Sequence, residues 1–136
     1  CICLGMQILS DKSEEGKLKG LGYIPGEFKK FNSILLKKKV PHMGWNEVKY
    51  NFDFSNIDIP RYYFVHSYYY TYLNDNYVLG RTNYGIKYPT VISNLDKKVM
   101  GVQFHPEKSH KYGFDFFKSY FNYFWLWKEL DLFLLF

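Results

Sequence analysis

Cysteine is scarce in this chain of 136 residues: there are two, Cys1 and Cys3. A pair so close together offers no disulfide framework, which points to a reducing, cytoplasmic compartment. No second cysteine pair follows, so the Cys-x-Cys pair does not read as a zinc site and no metal is expected. Long apolar runs are also missing. The most apolar stretch, residues 125–136, is too short and too interrupted by Lys128, Glu129 and Asp131 to span a bilayer, so no membrane is expected. Internal repeats, low-complexity segments and domain linkers are absent. The chain shows no signal or transit segment and does not begin with Met, and it reads as a fragment lacking an N-terminal part.

Aromatic residues are abundant at 22%, with 14 Tyr and 13 Phe. The length suits one domain with a real core. Net charge is +5, carried mainly by Lys. A basic balance can signal nucleic acid. Here the lysines are scattered apart from Lys37-Lys38-Lys39, which reads as a solvated edge, so no nucleic-acid partner is expected.

Two short stretches carry chemistry. The chain opens Cys1-Ile2-Cys3-Leu4-Gly5-Met6-Gln7. An apolar residue and a thiol followed by Leu-Gly suits a sharp strand-to-helix turn that exposes a nucleophile and aims the next helix N-terminus at it. The helix dipole and free N–H groups would then favour the thiolate. Far along the chain stands Gly101-Val102-Gln103-Phe104-His105-Pro106-Glu107. Val99 to Phe104 reads as a strand, with His105 just past its end, Pro106 stopping it and Glu107 turning back toward the imidazole. Together Cys3, His105 and Glu107 supply a nucleophile, a base and a carboxylate to orient the base. Alone, each has a bland reading: a buried Cys is usually a small hydrophobe and a lone His usually structural. The combination is far more specific. Cys1 reads as a packed strand residue.

The remaining pattern is α/β, with strands outnumbering helices. Leu4 to about Asp11 predicts a helix, and Ser13-Glu14-Glu15-Gly16 a polar loop. Residues 20–26 suggest turns and a short extended piece. Glu27–Phe31 and Ile34–Leu36 read as short strands. Residues 41–46 read as a loop leading into a strand over 47–50, and 51–60 as a connection with a possible helical turn. Residues 62–69, 77–82 and 90–94 are β-rich in composition. Phe114, Phe117, Tyr120, Phe121 and Phe124 recur at helical spacing within Lys111–Trp127. The terminal apolar stretch is expected to pack as a helix on the sheet.

Five runs resemble one family: Cys3–Gln7, Gly20–Gly26, Pro41-His42-Met43-Gly44-Trp45-Asn46, Tyr63-Phe64-Val65-His66-Ser67-Tyr68-Tyr69, and Gly101–Ser109. It is the class I (triad) glutamine amidotransferases. The third and fourth runs are most similar to those glutaminase subunits that feed a barrel-shaped cyclase in histidine biosynthesis. The likeness covers about residues 1–124, leaving 125–136 as an apolar C-terminal tail. It implies a flavodoxin-like sheet flanked by helices, with the N-terminal strands missing. It implies hydrolysis of L-glutamine without metal or organic cofactor: Cys3 attacks the amide carbon, His105 protonates departing ammonia and then activates water, and Glu107 holds the His105 tautomer. The Leu4 N–H would serve the oxyanion. Gln7, Ser67 and Tyr68 would meet the substrate, against bland roles in helix-surface hydrogen bonding and sheet packing. His66 would be structural. Met43, Trp45, Asn46 and Lys108 would face the cyclase subunit in a heterodimer whose product is imidazole glycerol phosphate.

Two departures stand out. Cys1 occupies a position where the resembled family usually has Gly, crowding the turn. The family's N-terminal glycine-rich loop, which supplies half of the oxyanion hole, has no counterpart in the chain, and losing one such donor typically costs roughly 10²–10³ in rate. Three other readings stay open: a paralogue supplying ammonia to a sugar-modifying synthetase in surface-polysaccharide biosynthesis, an inactive truncated domain, and a general cysteine hydrolase.

Overall fold

The computed structural model describes residues 1–72 and 75–133, with side chains through Phe124. Three α-helices and nine strands follow the order α1 (Leu4–Leu9), β1 (Lys12–Ser13), β2 (Glu27–Lys30), α2 (Ser33–Leu36), β3 (His42–Glu47), β4 (Lys49–Tyr50), β5 (Arg61–His66), β6 (Tyr68–Thr71), β7 (Val78–Asn83), β8 (Lys87–Asn94), β9 (Val99–Val102) and α3 (His110–Phe133), among the described residues. Short 3₁₀ turns cover Asp75–Tyr77 and Pro106–Lys108. The fold is α/β.

Three groups of paired strands form: β1-β2-β6, β3-β5 and β4-β7-β8-β9. Most pairing is antiparallel, with β1–β2 and a single bridge from Ile2 to Val102 running parallel. β8 is buried over Tyr88–Ser93, so both of its faces are covered. Successive strand residues point to opposite faces. Val91 therefore joins Tyr62, Phe64, Phe104 and Phe116 of α3, whereas Ile92 joins Met6 and Leu9 of α1. The helices thus lie on opposite sides of the central strands. The aromatic surplus fills the α3 side, where Tyr62 stacks on Phe104 at 3.9 Å between ring centroids.

The structure corrects several expectations. Ile34–Leu36 is helical: the Asn32 side chain accepts from the Ile34 and Leu35 N–H groups, capping a short helix that a run of apolar residues disguises as a strand. His42–Glu47 is a strand, because six successive residues pair with β5 from His42↔His66 to Glu47↔Arg61. Pairing there overrides the turn-like Pro, Gly and Asn. Residues 51–60 form no helical turn; Ser55 and Asn56 instead donate to Asp115 of α3. Cys1 is exposed and only its backbone is held, by Met100 and Val102. Lys37–Lys39 are exposed. Packing of the 125–136 tail lies outside the described side chains. Among the described residues no helix is long and apolar enough to cross a membrane.

Candidate active site

Cys3 sits at a sharp corner. The chain reaches it beside β9, with the Cys3 N–H donating to the Val102 carbonyl at 2.8 Å, and leaves it as α1. Its φ of 49° and ψ of −106° lie where non-glycine residues rarely go. Such backbone costs on the order of 1–3 kcal/mol and persists only where the surroundings enforce it. Here the enforcement is β9 before the corner and Met6 packed over Gly101 after it. A Cβ on Gly101 would lie 2.8 Å from Met6 Cγ, so that glycine lets α1 sit against the strand.

The same strand delivers His105. Three residues past Val102, the His105 N–H donates to Tyr63 O at 2.9 Å. Its side chain is mostly buried, and Nδ1 lies 2.7 Å from Glu107 Oε1. The carboxylate accepts, so Nδ1 carries the proton and Nε2 is left as the basic nitrogen. Ser109 braces the turn: its hydroxyl donates to His105 O at 2.6 Å and accepts from the Tyr63 N–H at 3.0 Å. A Cβ on Gly113 would fall 1.8 Å from Pro106 O, so this glycine lets α3 close on the turn.

Cys3 and His105 thus leave adjacent chain segments at the same end of the sheet. No Sγ–imidazole hydrogen bond joins them among the described residues. The sulfur rests instead 3.9 Å from Val65 O and 3.8 Å from Gln103 Nε2. Burial pushes the Cys3 thiol up, and the carboxylates of Glu15 and Glu107 add to this; the Leu4 N–H and the Gln103 amide pull it down. Burial outweighs these two donors, where the sequence had suggested a favoured thiolate. The group at rest is a thiol and needs a base to become a nucleophile.

Beside it, Gln7 is buried and both ends of its amide are taken. Nε2 donates to Glu15 Oε2 at 2.7 Å and Oε1 accepts from Ser13 Oγ at 2.6 Å. A pocket of about 340 Å³ is lined by Leu4, Gln7 and Glu15 among others. Ser67 and Tyr68 lie just past β5, whose Val65 carbonyl borders the thiol.

Behind that turn runs a buried polar chain. His66 Nδ1 faces Tyr68 O at 2.7 Å and must donate, leaving Nε2 to accept from the Tyr88 hydroxyl at 3.0 Å. That hydroxyl then accepts from His42 Nδ1–H at 2.8 Å, and His42 Nε2 accepts from Asn46 Nδ2 at 3.3 Å. Every proton has one place. Burial holds His42 down at about 3, helped by His66. It holds His66 at about 4. His66 is thus a structural residue, as expected.

On the outer face of β3, Met43 is 60% and Trp45 41% exposed. Trp45 stacks on His110, two residues past exposed Lys108. Asn46 points to the opposite face, where it also donates to Asn83 O at 2.9 Å.

A family model described as glutamine amidotransferase class-I matches residues 1–120. The chain belongs to that family. This amidotransferase chain is 41% identical over 125 residues to the imidazole glycerol phosphate synthase subunit HisH of Bdellovibrio bacteriovorus, covering 88% of the chain and 60% of that protein. It is 46% identical over 124 residues to HisH of Methanocaldococcus jannaschii, again covering 88% and 60%. HisH 2 of Methanococcus maripaludis is 43% identical over 123 residues, with 88% and 59% covered. The amidotransferase chain therefore spans about 60% of the length of these relatives.

Sequence reasoning missed Glu15, Ser13, Ser109 and Gln103 in this candidate site. Glu15 was hidden in a polar loop, and only its bond to Gln7 reveals it. Ser109 and Gln103 flank the His-Pro-Glu run closely enough for proximity to have flagged them.

Proposed function

We propose that this chain is the glutaminase part of an enzyme that hydrolyses L-glutamine and passes ammonia to a cyclase subunit making imidazole glycerol phosphate, in cytoplasmic histidine biosynthesis. The observation that carries the reading is the strained Cys3 corner, hydrogen-bonded to the strand that presents His105 with its Nδ1 held by Glu107. The relatives are named as subunits of imidazole glycerol phosphate synthase, which supports the partnership.

In this mechanism His105 Nε2 takes the Cys3 proton as Sγ attacks the glutamine side-chain carbonyl carbon. The missing Sγ–imidazole contact is one that commonly tightens only when substrate is bound. The Leu4 N–H, at the first position of the helix that follows Cys3, stabilises the oxyanion. His105 returns the proton to the departing nitrogen, releasing ammonia and leaving a thioester. His105 then activates water, the thioester C–S bond breaks, and glutamate and the thiol are restored. Glu107 keeps the proton on Nδ1 throughout. No metal or organic cofactor is required. The Glu15 carboxylate complements the ammonium of the substrate's head group, and Gln7 orients Glu15 from below. Ser67 and Tyr68 border the other side. Met43, Trp45 and Lys108 form the face toward the cyclase, while Asn46 acts from behind β3.

The test uses the enzyme with its partner. Cys3→Ala should abolish glutamine-dependent turnover, while free ammonia still supports the partner's reaction. Glutamine hydrolysis persisting in that variant overturns the reading.

A further inference from the structure

Gln103 is fully buried, 0% exposed, and its backbone N–H donates to Thr90 O at 2.9 Å. Its side chain has one hydrogen-bond partner among the described residues, the Cys3 sulfur, 3.8 Å from Nε2. Its Oε1 is buried without a hydrogen-bond partner. Leaving a buried carbonyl unpaired is costly, and a methionine or leucine would fill the same space without that cost. Packing alone therefore does not account for an amide here. What the amide adds is an N–H aimed at the nucleophile.

We propose that Gln103 is a positioning residue for the Cys3 nucleophile, donating its side-chain N–H to the sulfur once the thiol has lost its proton. The inference rests on reading Cys3 as the nucleophile. Charged groups facing the sulfur are the carboxylates of Glu15, from the segment after β1, and Glu107, from the turn after His105. Both oppose a negative sulfur. The His105 ring is the cationic counterpart only while it holds the transferred proton. The Leu4 N–H, at the first position of α1, is committed to the oxyanion during attack. That leaves Gln103 as the donor still free to hold the thiolate, or the thiolate leaving group as the thioester breaks. The backbone bond from Gln103 to Thr90 of β8 fixes the direction from which the sulfur is held.

The test is the pH profile of alkylation by iodoacetamide, resolved by mass spectrometry into Cys3 and Cys1. Gln103→Met keeps the shape and removes the donor. Its Cys3 profile should move up by about one pH unit, as expected for a lost hydrogen bond to a charged group. Exposed Cys1 should not move. An unchanged or lowered Cys3 profile overturns the proposal. A second measurement needs no Gln103 variant: in the native chain the Gln103 side-chain ¹⁵N resonance should titrate with the Cys3 midpoint and become flat in Cys3→Ala. A flat resonance in the native chain also overturns it. Because iodoacetamide needs no glutamine chemistry, the readings separate. A Gln103-dependent profile without glutamine turnover would sink the glutaminase reading alone, and turnover without that dependence would sink the role of Gln103.

Discussion

Removing the Tyr88 hydroxyl isolates the buried polar chain behind the site. Tyr88→Phe keeps the ring, its edge contact with Phe31 at 5.3 Å and its volume, so no cavity opens. It leaves two buried imidazole atoms alone: His66 Nε2 loses its donor and His42 Nδ1–H its acceptor. Each orphaned group costs about 1–3 kcal/mol, so the pair should cost about 3 kcal/mol after partial relaxation. Neither ring can escape by taking a proton near neutral pH, since burial holds both well below the ordinary range. Urea unfolding followed by tryptophan fluorescence should show a lower midpoint with an unchanged slope. A loss under about 0.5 kcal/mol would refute the proton order assigned to the chain, because a hydroxyl that satisfies two buried nitrogens cannot be removed so cheaply.

The same histidines set an acid limit. Their folded values, about 3 and about 4, lie below the ordinary 6.5, so below pH 6.5 the unfolded chain binds more protons. Their stabilisation is complete above that pH and lost as pH falls toward 4, at up to about 1.4 kcal/mol per pH unit for each ring, checked by urea midpoints across the range. Gly113→Ala in a helix would ordinarily stabilise by about 1 kcal/mol. The clash at Pro106 O should reverse the sign and cost about 1–3 kcal/mol in thermal unfolding, with loss of the proposed glutaminase activity as the His105 turn shifts. Trp45→Ala should weaken association with the proposed cyclase partner by about 2 kcal/mol in calorimetry while the fold persists; unchanged affinity would return Trp45 to a packing role against His110.

How legible this was depended on the range of the interactions involved. The Cys3 corner and the His105–Glu107 turn are local, set by Gly, Pro and spacing, and could be read directly. The long helix was legible as a helix, but not its buried face: of the expected stripe Phe114, Phe117 and Phe121 are exposed, and Phe116 enters the core with Tyr120 and Phe124 beside it. β3 was hidden because its strand character comes from six pairs with β5, from His42↔His66 to Glu47↔Arg61, all distant in sequence. α2 was hidden by three apolar residues that face largely outward, Ile34 and Leu35 being exposed, with the cap on Asn32 as the only local signal. The partner residues were read as one group, yet alternation along β3 puts Met43 and Trp45 on one side and Asn46 on the other. The state of the thiol also escaped, because burial is a tertiary property that the residues around Cys3 do not state.

The most direct measurement of the central claim is the site of attack by a glutamine-mimicking electrophile, mapped by mass spectrometry on the native protein. Cys1 is the more exposed thiol and would win on access alone. The account predicts an adduct on Cys3, protection by L-glutamine, loss of labelling in His105→Ala, and an unmodified Cys1. Labelling of Cys1 in preference to Cys3, or labelling of Cys3 that ignores both glutamine and His105, would contradict it.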